Sequence, residues 1–202
     1  MIKIKNIIFD IGKVLVDYDW ARYLKSYGFD EEKEKTIAYA LFASGTWNEL
    51  DRGVIPIPEL EELFVAHAPQ YREDILTVFR NSGGTIKRLD YAIPWITSLK
   101  ERGYHVYYLS NYSEFMIVAT RNALDFLPYT DGGVFSCDVK LIKPEPEIYR
   151  ALLEKYPDIV PEESVFLDDV EKNVQGAQAL GIHGIVFQNY EQAKAELELL
   201  LK

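Results

Sequence analysis

Apolar runs in this chain end in residues able to handle a phosphate, and that placement is where chemistry is sought first. Asn6-Ile-Ile-Phe9 runs into Asp10, Val106-Tyr-Tyr-Leu109 into Ser110-Asn111, and Val165-Phe-Leu167 into Asp168-Asp169. Lys143-Pro144 follows another run, Gly133-Val-Phe135, by a loop. Each residue type answers a different demand. A carboxylate at Asp10 could attack phosphorus and form an aspartyl-phosphate, splitting one difficult hydrolysis into two displacements. The Ser110 hydroxyl and the backbone N–H beside it could donate to non-bridging oxygens, while Lys143 neutralises charge on the nucleophile and the transferring group. Asp169, with or without Asp168, could hold Mg²⁺ beside Asp10, because that ion takes a few carboxylates and completes its octahedron with water and phosphate oxygens.

Taken singly, each residue has a plainer reading. Asp10 and Ser110-Asn111 would suit caps, Lys143 a solvated loop, and Asp168-Asp169 a turn. It is their convergence on the ends of successive apolar runs that favours a site. His67, His105 and His183 have no metal-ligand spacing, and Gly83-Gly84 and Gly132-Gly133 form no dinucleotide or phosphate loop. Neither a histidine metal centre nor a nucleotide cradle is expected.

The elements that must position these residues are short strands alternating with helices. Residues 5–10, 106–110, 133–135, 165–168 and 184–187 read as strands buried on both faces of a parallel sheet. Helices are expected at 93–102 before Gly103, at 114–124, at 146–155 opened by Pro146, at 173–180 before Gly181, and at 191–201 on the flank of the sheet. The alternation predicts an α/β fold, a Rossmann-like doubly wound parallel sheet, in which ligands bind beyond the carboxyl ends of the strands. Residues 19–89 break the alternation with helical periodicity throughout, so they are read as an inserted α-helical unit, with core segments 1–18 and 90–202 on either side. Asn81-Ser-Gly-Gly84 is expected to be the flexible return to the sheet.

Composition narrows the partners. The chain has 202 residues, enough for one core plus an insertion, and its net charge of −10 disfavours nucleic acid and anionic lipid. An anionic substrate therefore needs a local positive site, from a few cationic side chains or a metal ion. The single cysteine, Cys137, excludes an intrachain disulfide, and no window approaches the roughly 20 apolar residues of a membrane span. A cytoplasmic protein without membrane anchor is expected, acting on a small phosphorylated metabolite.

The segments FDIGKVLVD, VYYLSN, KPEPEIY and VFLDDVEKNVQGA, spread over residues 6–177, resemble the four ordered motifs of the haloacid dehalogenase-like superfamily. The resemblance implies Asp10 as nucleophile, Ser110 and Asn111 as phosphate binders, Lys143 as the charge-neutralising lysine, and Asp168 and Asp169 as metal-site acids. Asn173 resembles the asparagine that braces the last loop, and the helical insert resembles the type-one cap of that superfamily, which opens and closes over the site. The implied activity is Mg²⁺-dependent phosphatase.

One position departs from the pattern. Most phosphatases of the superfamily carry a second aspartate two residues after the nucleophile, which protonates the leaving oxygen and later activates water; here that position is Gly12. Loss of a positioned general acid forfeits about 10²–10⁴ in rate unless another group takes over. The metal in the superfamily is bound by the backbone carbonyl at this position, which glycine keeps. The Asp-x-Gly form resembles phosphatases of glucose 1-phosphate and related sugar phosphates. Asp17 and Asp19 are candidates to replace the acid, and Asp51-Arg52 and Trp20, Trp47 and the tyrosines of the insert are candidates to touch substrate. The rivals are a binding or regulatory protein that lost turnover through Gly12, a phosphomutase, and a metal-free dehalogenase. The intact Asp168-Asp169 pair argues against the last.

Overall fold

The β-branched and aromatic runs assemble into one sheet. In the computed structural model, which describes residues 3–202, the strands are β1 (Asn6–Phe9), β2 (Val16–Tyr18), β3 (Ile86–Arg88), β4 (His105–Ser110), β5 (Gly132–Phe135), β6 (Ser164–Asp168) and β7 (His183–Val186). Met1 and Ile2, at the head of the expected core segment, lie outside the described residues. Five strands form the main sheet in the order β5-β4-β1-β6-β7, and every neighbouring pair is parallel. The chain leaves β1 in one direction, through β4 and β5, and returns on its other side through β6 and β7. The crevice for a ligand lies where these two directions part, beyond the ends of β1 and β6.

In chain order the helices are α1 (Trp20–Lys25), α2 (Glu31–Ala38), α3 (Thr46–Arg52), α4 (Ile57–Ala66), α5 (Arg72–Arg80), α6 (Ala92–Glu101), α7 (Glu114–Ala119), α8 (Ser136–Val139), α9 (Pro146–Lys155), α10 (Glu171–Gln178) and α11 (Tyr190–Leu200). Successive strand side chains point to opposite faces, and the packing follows that period. Ile7 and Phe9 of β1 and Val165 and Leu167 of β6 meet Trp95, Leu99 and Leu197 from α6 and α11. Ile8 and Phe166, one residue out of phase, meet Ile148, Tyr149 and Leu152 of α9 and Ala177 of α10. The result is helices on both faces of a parallel sheet, the Rossmann-like α/β architecture.

A separate apolar cluster forms within the insert, from Leu24, Ile37, Leu41, Leu50, Leu60, Phe64, Ile75 and Phe79. Phe115 on α7 stacks on Phe79 at 4.9 Å between ring centres, tying this cluster to the sheet side. Two strands here were not anticipated: β2 and β3 pair antiparallel, with Val16 opposite Arg88 and Tyr18 opposite Ile86, and form the stem from which the helical insert rises. Each is three residues long, too short for a periodic signal.

The return segment is not slack. Ser82 is fully buried, with its hydroxyl on the Met116 sulfur at 3.3 Å, and Thr85 Oγ1 donates to the Ser82 carbonyl at 2.7 Å. A Cβ on Gly84 would stand 2.8 Å from the Tyr23 ring, so the glycine there serves close packing rather than flexibility. The helix expected to reach residue 124 stops as α7 at Ala119. Thr120 turns its hydroxyl onto the Met116 carbonyl at 2.6 Å and shares a 2.7 Å hydrogen bond with Tyr112, which draws the chain out of the helix.

Candidate active site

The residue after β1 is held by the sheet itself. The Asp10 N–H donates to the Leu167 carbonyl at 2.8 Å, which continues the β1–β6 ladder and fixes the carboxylate at the crevice. Asp10 is 8% exposed, and its Oδ1 lies 2.8 Å from Lys143 Nζ. The same ammonium group donates to Asp168 Oδ2 at 2.6 Å. Lys143 is thus a buried cation bridging two buried carboxylates, and its own backbone is gripped by Asn111. The Lys143 N–H donates to Asn111 Oδ1 at 2.7 Å, and Asn111 Nδ2 donates to the Lys143 carbonyl at 3.1 Å. The Asn111 side chain is therefore committed to the lysine loop, and its backbone N–H is what it has left to offer an anion. Ser110, at the end of β4, is 1% exposed, and its side chain favours the charged form of Asp10.

Asp168 and Asp169 are chemically distinct despite being adjacent. Asp168 is fully buried with both oxygens engaged: Oδ1 accepts from the Val170 N–H at 2.7 Å and from Asn173 at 3.1 Å, and Oδ2 accepts from Asn173 at 3.0 Å as well as from Lys143. Asn173 is aligned in turn by Tyr149, whose hydroxyl donates to the Asn173 carbonyl at 2.7 Å. Asp169 faces outward and, among the described residues, pairs with the exposed Lys13 ammonium alone, at 3.3 Å. The sequence leaves open which of the two acids meets a metal directly; their partners differ, since Asp168 is hydrogen-bonded through both oxygens, one of them to Lys143, whereas Asp169 has Lys13 beside it.

The electrostatics follow from that count. Burial opposes the charge on Lys143, yet Asp10 and Asp168 outweigh it and hold its pKa above the ordinary lysine value. Burial pushes the Asp10 carboxyl up; Lys143 and Ser110 pull it down, and Asp168 adds to the rise. The buried Lys143 and the exposed Lys13 together do not balance three carboxylates. Oxygens of Asp10, Asp168 and Asp169 lie within 4.8 Å of one another. Hard oxygen donors with uncompensated negative charge fit a small divalent cation such as Mg²⁺.

A cavity of about 130 Å³ opens beside this cluster, lined by Gly12, Tyr18, Trp47, Asp51, Asn111 and Tyr112 among others. A larger cavity of about 560 Å³ lies between residues 50–60 of the insert and α7, but carries none of the clustered carboxylates. Asp17 and Asp19 do not reach either one. Asp19 caps α1 by accepting from the Arg22 N–H at 2.8 Å, and Asp17 pairs with the Arg22 guanidinium at 3.1 Å. Trp20 stacks on Phe42 at 5.2 Å instead of lining the small cavity, whereas Trp47 does line it. Asp51 is the acid that arrives there, 8% exposed. A sequence signal existed for it: Asp51 stands in the last turn of α3, where the helix dipole disfavours an anion, immediately before Arg52 and the Gly53 cap.

The chain is 25% identical over 213 residues to D-ribitol-5-phosphate phosphatase of Bacteroides thetaiotaomicron, with 98% of each chain covered. It is 26% identical over 185 residues to a sesquiterpene phosphatase of Aspergillus oryzae, covering 90% of this chain and 88% of the other. Among solved structures, a haloacid dehalogenase family enzyme from Bacteroides thetaiotaomicron in complex with magnesium and inorganic phosphate superposes with a TM-score of 0.71 at 25% identity, over 94% of this chain and 98% of that one. The model of the haloacid dehalogenase-like hydrolases matches residues 4–181, and the chain belongs to that family of enzymes.

Proposed function

We propose that this hydrolase is a Mg²⁺-dependent phosphatase that cleaves a small phosphomonoester, a sugar phosphate or similar polyol phosphate, through an aspartyl-phosphate on Asp10. The observation that carries the reading is the Lys143 ammonium group held between Asp10 and Asp168 at 2.8 and 2.6 Å beside a carboxylate cluster. Asp10 attacks phosphorus; Lys143 keeps the attacking carboxylate in line and balances charge on the phosphoryl group; the Ser110 hydroxyl and the Asn111 N–H bind its oxygens. Asp10, Asp169 and the Gly12 carbonyl would hold the metal, while Asp168, braced by Asn173, fixes Lys143. When bound, the ion supplies positive charge to the phosphate oxygens that the −10 chain otherwise lacks.

Residues 19–89 act as the cap and residues 1–18 and 90–202 as the catalytic core, the cap moving to admit substrate and exclude water. The small cavity is walled by Tyr18, Trp47 and Tyr112 with Asn111 and Asp51 as polar groups, a lining suited to a compact polyhydroxylated group. At about 130 Å³ it equals about four waters at ~30 Å³ each, which favours a metabolite over a peptide or polymer. The site is tested by phosphate release from a panel of phosphorylated sugars and polyols with Mg²⁺ and with chelator. Release that requires both Mg²⁺ and Asp10 supports the reading; equal release by the Asp10→Asn variant refutes it.

A further inference from the structure

We infer that Asp51, carried by the cap, is a further catalytic residue of this site, the proton donor and acceptor for the leaving-group oxygen that the Gly12 position does not provide. The inference rests on the phosphatase reading above and extends it. Two independent features of the geometry support it.

First, the place where the usual acid would stand is open and shared. A Cβ built on Gly12 meets nothing within 4 Å, and Gly12 and Asp51 line the same cavity. Second, the Asp51 backbone is tied to the core rather than carried loosely on the insert. The buried Ser136 hydroxyl donates to the Asp51 carbonyl at 2.6 Å, Lys140 Nζ donates to the Gly53 carbonyl at 2.7 Å, and the Arg52 guanidinium pairs with Glu145 at 2.6 and 3.0 Å. All three anchors come from residues 136–145, the segment that delivers Lys143. The acid is therefore positioned only when the cap is docked, so cap closure and proton delivery coincide. The electrostatics of the side chain accord with this placement. Burial pushes the Asp51 carboxyl up to about 8, the Asp10 charge adds to the rise, and Lys143 and the Ser113 N–H oppose it. Tyr18 and Tyr112, the other titratable groups facing it, are themselves pushed up by burial and stay neutral. Asp51 is not a member of the carboxylate cluster assigned to the metal.

The proton balance closes over one cycle. As Asp10 forms its bond to phosphorus, the ester P–O bond breaks, its electron pair goes to the leaving oxygen, and the Asp51 proton moves to that oxygen. The Asp51 carboxylate then takes a proton from the water whose oxygen attacks the aspartyl-phosphate. The Asp10–phosphorus bond breaks, its electron pair returns to Asp10, and Asp51 is protonated again.

The test compares wild type, Asp51→Asn, and Asp51→Asn with Gly12→Asp on p-nitrophenyl phosphate, phenyl phosphate and an alkyl phosphate, in order of increasingly basic leaving oxygen. Because kcat/KM reads the steps through phosphoryl transfer, the Asn variant should lose about 10²–10⁴ on the alkyl ester and less than about tenfold on the p-nitrophenyl ester. With the latter it should release one equivalent of nitrophenolate rapidly and then stall as phosphoenzyme. Gly12→Asp, which the open space admits, should restore at least about tenfold on the alkyl ester. An unchanged thermal midpoint, or a higher one, shows that the Asn variant is folded. A loss of the same size on all three esters, or none on the alkyl ester, overturns the role of Asp51. Absence of hydrolysis by the wild type on every ester overturns the phosphatase reading itself.

Discussion

Replacing Lys143 by Met keeps the length of the side chain and removes the cation between Asp10 and Asp168. In the wild type that cation is 3% exposed and lies 2.8 and 2.6 Å from the two carboxylates. Removing one partner of a buried ion pair costs about 3–5 kcal/mol, because the charge left behind stays desolvated. Here two carboxylates are left, so the upper half of that range is expected when chelator prevents a divalent cation from substituting. At about 2–4 °C per kcal/mol for a chain of this size, the thermal midpoint should fall by roughly 10–20 °C at pH 8. The pH dependence has a definite sign. Without Lys143 the folded-state pKa of Asp10, already raised by burial, rises further above the unfolded value of about 4, so the native state binds a proton that the unfolded chain does not. The cost is then small near pH 4 and grows as pH rises. Urea unfolding of both proteins from pH 4.5 to 8, in chelator, measures it. A deficit below about 1 kcal/mol at pH 8, or one that does not shrink toward acid pH, refutes the view that Lys143 holds two buried charges together.

Further outcomes follow from single contacts. In Asp51→Asn the buried carboxyl that titrates near 8 is removed; since its folded pKa exceeds the unfolded one, wild-type stability declines between about pH 4 and 8, and urea unfolding should show the variant at least about 1–2 kcal/mol the more stable at pH 8, with the gap closing near pH 4. Asp19→Ala removes the cap of α1 and should cost about 1 kcal/mol in thermal unfolding while leaving kcat within about twofold, since proton transfer is not its task. Gly133→Ala places a Cβ 2.3 Å from the Tyr108 carbonyl on the neighbouring strand, and the forced separation of β4 and β5 should cost about 3 kcal/mol or abolish soluble expression.

The chain made its core legible because each core strand combines an apolar run with a polar residue at its carboxyl end. Asp10, Ser110 and Asp168 stand at the ends of β1, β4 and β6, so a reading based on strand ends finds them without knowledge of the packing. What stayed hidden depends on contacts between distant segments. The difference between Asp168 and Asp169 arises from Asn173 and Val170 saturating one and not the other. The engagement of Asn111 with the Lys143 backbone spans 32 positions. Ser136, Lys140 and Glu145 hold the end of α3, with Asp51, against the core across more than 80 positions of sequence. The β2–β3 stem offers three residues per strand, and no period can be read from so few.

The central claim, that Asp10 carries the phosphoryl group, is tested most directly by trapping the phosphoenzyme. Wild-type protein is mixed with p-nitrophenyl phosphate and Mg²⁺, quenched in acid within milliseconds, digested, and the peptide containing Asp10 is examined by mass spectrometry for the added phosphoryl mass. A phosphorylated Asp10 that forms before product release and is absent from Asp10→Asn is the predicted result. Turnover with no phosphoryl group on Asp10 at any quench time, or with the group on another residue, contradicts the account.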